Sequence, residues 1–293
     1  MTALPLGALI SDRPLRGSRR GRTKLVVGGL VLAAFLLAGI FAGSVAPSDP
    51  LEQDLLNRLA DPSGAHLLGT DALGRDTLSR IIYAIQVDLR VGVLCALLPM
   101  LLGTVVGAIA GFYGGIFDVV VTRLIDLVQS FPVLVFFLAL LSAMGMARPF
   151  LFLGPGELPV IIVFVAVGWI VYARLIRGEV LRVRELEYVQ AARASGLSSG
   201  RVLVRHVLPN VLNQTFVYVV LDIGLAVLAL ATLSFLGLGI PAPTPEWGTM
   251  IAENRARFGE QWWLVVAPGA AVSILGVGLA LVGDGLDDLL KTR

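Results

Sequence analysis

The amino-acid sequence predicts an all-α, polytopic membrane protein with six transmembrane helices and both termini cytoplasmic. Hydrophobic residues make up 56% of its 293 residues and charged residues 15%, whereas a soluble domain carries about 25% charge. Mean hydropathy is +0.85. The charges are clustered, which leaves uncharged windows of roughly the 20 residues that a spanning helix needs. Most of the basic residues then fall on one side of the resulting topology.

Residues 1–24 read as a basic cytoplasmic tail carrying Arg13, Arg16, Arg19, Arg20, Arg22 and Lys24, and residues 25–46 as the first span. A cleaved signal peptide is the rival reading. The apolar run, about 20 residues long, exceeds the roughly 7–15 of a cleaved apolar region, so the helix is expected to stay. Residues 47–90 form an outer loop in which Leu78, Ile81, Ile82, Ile85 and Leu89 recur at helical spacing. This predicts an amphipathic helix whose other face holds Arg75, Asp76, Ser79, Arg80 and Gln86, either as a lipid-interface anchor or as a docking surface.

Residues 91–293 are expected to form the core with five further spans. Arg90 to Asp118 encloses 27 uncharged residues, Asp126 to Arg148 encloses 21, and Glu260 to Asp284 encloses 23. Leu158 to Ala173 offers 16 but ends in Arg174 and Arg177, whose stems can snorkel to the interface. Val211 to Phe235 is long enough and contains Asp222. Pro99, Pro132 and Pro268 fall inside spans, where a missing N–H tends to kink the axis. Gly103 with Gly107, and Gly276 with Gly278, are read as close helix packing within the chain in preference to a dimer motif.

Orientation follows from lysine and arginine. With six spans and the N-terminus inside, 16 of the 23 basic residues lie in cytoplasmic segments, seven of them from Arg174 to Arg205. The net charge of +2 conceals this asymmetry. It argues for topology, and no groove of basic and aromatic residues suggests a nucleic-acid partner.

Residues 174–210 are a polar, arginine-rich island between the fourth and fifth spans. Leu175, Ile176, Val180, Val183 and Leu186 predict a helix from Ala173 to about Ala194. Gly196 suits the position just past a helix end, where positive φ costs glycine little. Ser198 or Ser199 can cap a following helix, and Pro209 marks the return to the membrane. The small side chains of Ala191, Ala192 and Ala194 would let another protein approach this backbone closely.

Catalytic and metal constellations are not found. His66 and His206 are the two histidines, predicted on opposite sides of the membrane, so no metal site is expected. Cys95 is the single cysteine, which excludes an intrachain disulfide and reads as a small buried hydrophobe. No G-x-x-x-x-G-K-[ST] loop cradles a nucleotide. The chain is expected to be no enzyme and to hold no cofactor; if ATP drives its work, another chain hydrolyses it. Thr215, Tyr218 and Asp222 share one face of the fifth span, and an intramembrane carboxylate is costly unless it faces a bundle interior or a cavity. That face reads as the border of a translocation path or as an interhelical contact. Trp247, Trp262 and Trp263 read as interfacial anchors, with a partner contact as a secondary role.

Tyr188-Val-Gln-Ala-Ala-x-x-x-Gly196, followed by Leu208-Pro209, resembles the cytoplasmic EAA loop of binding-protein-dependent ABC importer permeases. His66-Leu-Leu-Gly-Thr-Asp-Ala-Leu-Gly-Arg-Asp-Thr-Leu-Ser-Arg80, the Tyr113-Gly-Gly-x-x-Asp118 turn, Ser234-Phe-Leu-Gly-Leu-Gly239, Pro243-Thr-Pro-Glu-Trp-Gly248 and Gly283-Asp-Gly-Leu-Asp-Asp288 are similar to the second permease subunit of dipeptide and oligopeptide importers. The resemblance covers most of the chain. It implies a coupling helix, formed here by Glu187, Tyr188, Gln190, Ala191, Ala192, Gly196, Leu208 and Pro209, that docks on an ATPase. Gln190 stands where the motif has glutamate, which removes any ionic contact made there. The resemblance also implies a second homologous permease subunit, two ATP-binding subunits carrying ATP and Mg, and an extracytoplasmic substrate-binding protein. The last would touch Arg75, Asp76, Arg80 and Trp247. Nickel and glutathione importers share the pattern and are the alternatives within the family. An ion-coupled secondary transporter would also suit six spans and Asp222, but leaves the cytoplasmic motif without a role.

Overall fold

The computed structural model describes residues 14–145 and 149–290. Among the described residues the fold is all-helical, with no strand: α1 (Pro14–Ile40), α2 (Ala42–Val45), α3 (Thr77–Tyr113), α4 (Gly115–Gln129), α5 (Val133–Met144), α6 (Glu157–Val183), α7 (Glu187–Ala194), α8 (Ser199–Val202), α9 (Leu208–Phe235), α10 (Trp247–Asn254) and α11 (Trp263–Leu290). Helices α1, α3, α6, α9 and α11 are each long and apolar enough to cross a membrane. The α4–α5 pair, bent by 91°, makes a sixth crossing when counted as one span. Residues 1–13 of the expected basic tail lie outside the described residues.

Packing gives each helix its direction. α1 and α11 are antiparallel, since a Cβ on Gly21 would meet Asp288 and one on Gly28 would meet the Gly278 carbonyl. Lys24 Nζ ties the same end to Asp288 at 3.1 Å. α3 and α6 run parallel: Arg90, about a third of the way along α3, pairs with Glu157 at the start of α6, and Gly111 lies against Arg177 near the ends of both. The chain between them must therefore return. α4 and α5 carry it back, with Asp118 on Arg177, Asp126 on Arg174 and Phe137 on Phe164. α9 is then antiparallel to α3 and to α11, as the approaches of Gly92 to Val227, Gly283 to Leu221 and Gly224 to Leu279 show. Both ends of the described chain lie on one face of the bundle, together with α7 and α8.

The most extensive pairing, α3 with α6, depends on glycine. A Cβ on Gly103 would stand 2.4 Å from the Trp169 carbonyl oxygen, and one on Gly107 2.4 Å from that of Ala173. The small-residue motif therefore serves packing within the chain. Pro99 sits inside α3 against Gly168, which leaves room for its ring. Many apolar side chains stay outward, among them Leu30, Val105 and Val277, because lipid is the solvent for these faces.

Four expectations are corrected. The third span, expected as one helix, breaks at Ser130–Pro132, and its first half reaches back to Gly115 through Asp118, Arg123 and Asp126. Pro132 supplies the break, since it cannot donate into a continuing helix. The helix expected from Ala173 to Ala194 is two helices, because α6 continues from the membrane to Val183 and α7 restarts at Glu187. The outer amphipathic helix is the first turns of α3, and of its polar face Arg75, Asp76, Ser79 and Arg80 are covered by protein while Gln86 stays exposed. Trp247 is no interfacial anchor: it is fully buried, donates Nε1–H to the Ile81 carbonyl at 3.2 Å and meets Phe35 edge to face.

Candidate functional site

The island helix α7 places its residues in two classes. Val189 is fully buried in a cluster with Phe112, Val180, Val183, Val202 and Val207, drawn from the ends of α3 and α6 and from the approach to α9; Ala192 packs against its edge. Glu187, Tyr188, Gln190 and Ala191 face outward. Burial of one side of a short helix fixes its orientation, so the exposed side is presented on a firm base. Arg193 stacks its guanidinium over the Phe112 ring, 4.9 Å from the centroid, adding a polar clamp between α7 and α3.

The turn after α7 is built by Gly196, which takes φ +80° as its position predicts. The Leu197 N–H donates to the Ala192 carbonyl at 3.4 Å and the Gly196 N–H to that of Arg193 at 3.0 Å. These two bonds close the helix end in a Schellman arrangement. A Cβ on Gly196 would meet no neighbouring atom within 4 Å, so positive φ, and not crowding, selects glycine here. Ser198 precedes α8 without a side-chain cap, and Leu203–Val207 forms a π-helical turn before Leu208 and Pro209 open α9. The His206 carbonyl accepts from Asn210 Nδ2 at 2.8 Å and from the Tyr188 hydroxyl at 3.4 Å, which fastens α7 to the base of α9. Gln190 donates to the Arg184 carbonyl at 3.2 Å and to Glu185 at 3.4 Å. In place of an acid, position 190 thus holds an amide that braces the turn between α6 and α7.

Asp222 meets the fourth span through Tyr172, whose hydroxyl donates to Oδ2 at 2.7 Å. Tyr172 and Tyr218 stand edge to face at 5.3 Å. Tyr218 and Asp222 are half-buried, whereas Thr215 is buried and turns its hydroxyl back to the Val211 carbonyl. The structure therefore brings Tyr172, Tyr218 and Asp222 together and leaves Thr215 aside. Tyr172 could not have been placed beside Asp222 from spacing, because 50 residues separate them.

The opposite face is held by buried charge. Arg75 Nε reaches Asp71 at 2.7 Å, Arg80 Nη1 reaches the same carboxylate at 3.1 Å, and both guanidiniums reach Glu253 at 3.2 and 3.1 Å. Asp76 caps α3 by accepting from the Ser79 N–H at 2.8 Å and pairs with His66 at 2.9 Å. Arg75, Asp76, Arg80 and Trp247 are at most 3% exposed. They brace the outer loop against α10 and do not form its surface. Among the described residues no group of three or more histidine, cysteine or acidic side chains could hold a metal.

A family model described as "Binding-protein-dependent transport system inner membrane component" matches residues 103–293. The chain is 36% identical over 268 residues to a dipeptide transport system permease protein of Alkalihalophilus pseudofirmus, covering 92% of this chain and 85% of that one. It is 34% identical to an oligopeptide transport system permease protein of Bacillus subtilis, covering 94% and 87%. A glutathione transport system permease protein of Pectobacterium atrosepticum is also 34% identical, covering 92% and 86%.

Proposed function

The chain belongs to the family of binding-protein-dependent transport inner membrane components, and on that premise we propose that it moves dipeptides or oligopeptides across the cytoplasmic membrane of a bacterium. It is the permease of the system and no enzyme. Its partners are an extracytoplasmic substrate-binding protein and ATPase subunits, with a second homologous permease completing the path and two ATP-binding subunits carrying ATP and Mg. One observation supports coupling at the island: α7 exposes Tyr188, Gln190 and Ala191 while Val189 seats it on the ends of α3 and α6. The face bearing α7 and both ends of the described chain is the cytoplasmic one, in line with its arginines.

The geometry supports a specific route for the work of ATP. At 37 residues, α3 spans about 55 Å. Its outer end carries Arg80 in the buried charge network, and its inner end carries Phe112 under Arg193 of α7. Displacement of α7 by an ATPase therefore bears directly on the rod that is bolted to the outer loop. Two conformations stabilised differently by ATP and by the loaded binding protein are the thermodynamic requirement.

Asp222, with Tyr172 and Tyr218, gives a polar patch for a peptide backbone on the path. Asp222→Ala is expected to lower peptide uptake at unchanged protein level, and unchanged uptake and ATPase activity would remove this role. The transport reading itself is tested by liposomes that hold the whole complex. Uptake must require internal ATP and the binding protein; uptake by this chain and its permease partner under an ion gradient alone would favour a secondary transporter.

A further inference from the structure

Glu246 precedes α10 as its N-cap, with Oε1 accepting from the Gly248 N–H at 2.8 Å and Oε2 from the Thr249 N–H at 2.7 Å. Both oxygens are thus used as acceptors, the natural role of an ionised carboxylate at a helix start. Asp88, on α3, reaches the same helix start. Its Oδ2 accepts from the Trp247 N–H at 3.3 Å, while Oδ1 is buried with no hydrogen-bond partner among the described residues. Both residues are completely buried.

Two carboxylates held at one helix start and out of water repel each other, and a proton carried by one of them removes the conflict. A cation could serve the same end. The hydrogen-bond donors that reach this pair, however, are the N–H groups of Trp247, Gly248 and Thr249, while the Thr249 hydroxyl donates to the Ile240 carbonyl. The nearby arginines are committed elsewhere, Arg90 to Glu157 and Arg75 and Arg80 to Asp71 and Glu253. Burial also pushes the Glu246 carboxyl up.

We propose that Asp88 and Glu246 form a resident proton-binding site in which one proton, carried on Asp88 Oδ1, is donated to the Glu246 carboxylate. Oδ2 then keeps its role as the carbonyl-type acceptor of Trp247. The pair pins the start of α10 to α3, as Glu253 pins its end through Arg75 and Arg80. Asp88 is accordingly a positioning residue: it holds Trp247 and Gly248 in place, where a Cβ on Gly248 would stand 2.2 Å from the Ala231 carbonyl oxygen.

Infrared spectroscopy of the complete importer in lipid tests this at neutral pH. A protonated-carboxyl C=O band is expected in the wild-type complex and is expected to vanish in Asp88→Asn. The amide introduced by that substitution can still donate to Glu246 and accept from Trp247, so the variant should keep uptake within about twofold of wild type. Asp88→Ala takes the acceptor from the buried Trp247 N–H and the proton donor from the Glu246 carboxylate, and should lower uptake about tenfold. A band that persists in Asp88→Asn, the absence of any such band in wild type, or Asp88→Asn falling as far as Asp88→Ala would each overturn the proposal. So would full activity of Asp88→Ala. The uptake comparison rests on the transport reading, whereas the band does not, so failure of one is distinguishable from failure of the other.

Discussion

Gly196→Val is expected to uncouple ATP hydrolysis from uptake. The turn after α7 requires φ +80° at position 196, and a β-branched residue in the left-handed region costs at least the roughly 1–2 kcal/mol of an ordinary side chain there. The chain escapes that cost by opening the Schellman turn, which releases Leu197 from Ala192 and swings α7 off its seat. At about 1.4 kcal/mol per factor of ten, the docking-competent arrangement falls by about tenfold. Uptake should fall in proportion, while ATPase activity loses its response to loaded binding protein. Gly196→Asn is the control, because asparagine tolerates this region far better than valine. It should retain most of the coupling, and equal damage by both substitutions would show that glycine serves some purpose other than backbone conformation.

The largest effect on stability is expected for Gly107→Leu. A Cβ at this position would meet the carbonyl oxygen of Ala173 at 2.4 Å and its Cα at 2.9 Å. Backbone atoms cannot rotate aside as a side chain can, so α3 and α6 must separate along their whole contact. Overpacking costs about 1–3 kcal/mol where side chains yield, and a rigid backbone puts this case at or above the upper end. Thermal unfolding of the purified protein in detergent should show a lowered midpoint and a reduced yield of folded protein. Gly276→Leu, at a position with no atom within 4 Å of an added Cβ, should leave the midpoint within experimental scatter.

What is legible in the sequence and what is not divide along a physical line. Long uncharged windows announce spans because the bilayer penalises charge locally, and Gly196 announces its turn because φ is a property of one residue. Gly103 and Gly107 are readable for the same reason, since close approach requires the absence of a side chain. Ion pairs between distant segments are not readable. Asp118 and Asp126 look like loop residues until α6 brings Arg177 and Arg174 to them, which is how α4 carries charge into the bent third crossing. Arg75 and Arg80 look like an outer surface until Glu253, more than 170 residues away, neutralises them inside. Trp247 looks like an interface anchor because hydropathy cannot distinguish an indole buried beside Phe35 from one at the headgroups.

The same contrast holds at the coupling loop. Its small residues and its glycine are visible, but the side it presents is not. That side is decided by Val189, which joins a cluster drawn from three other parts of the chain. Gln190 is visible as a departure from the motif, and the structure gives the amide a use in bracing Arg184 and Glu185.

Site-directed cross-linking tests the docking of α7 most directly. Cys95 is buried and can be replaced by alanine, after which Ala191→Cys supplies one exposed thiol on the outward side of α7. In the complete importer this thiol should cross-link to the ATPase subunit through a short bifunctional reagent, with a yield that changes on ATP binding. Cross-linking of Ala191→Cys to the extracytoplasmic binding protein, or to no subunit while transport is intact, would contradict the account.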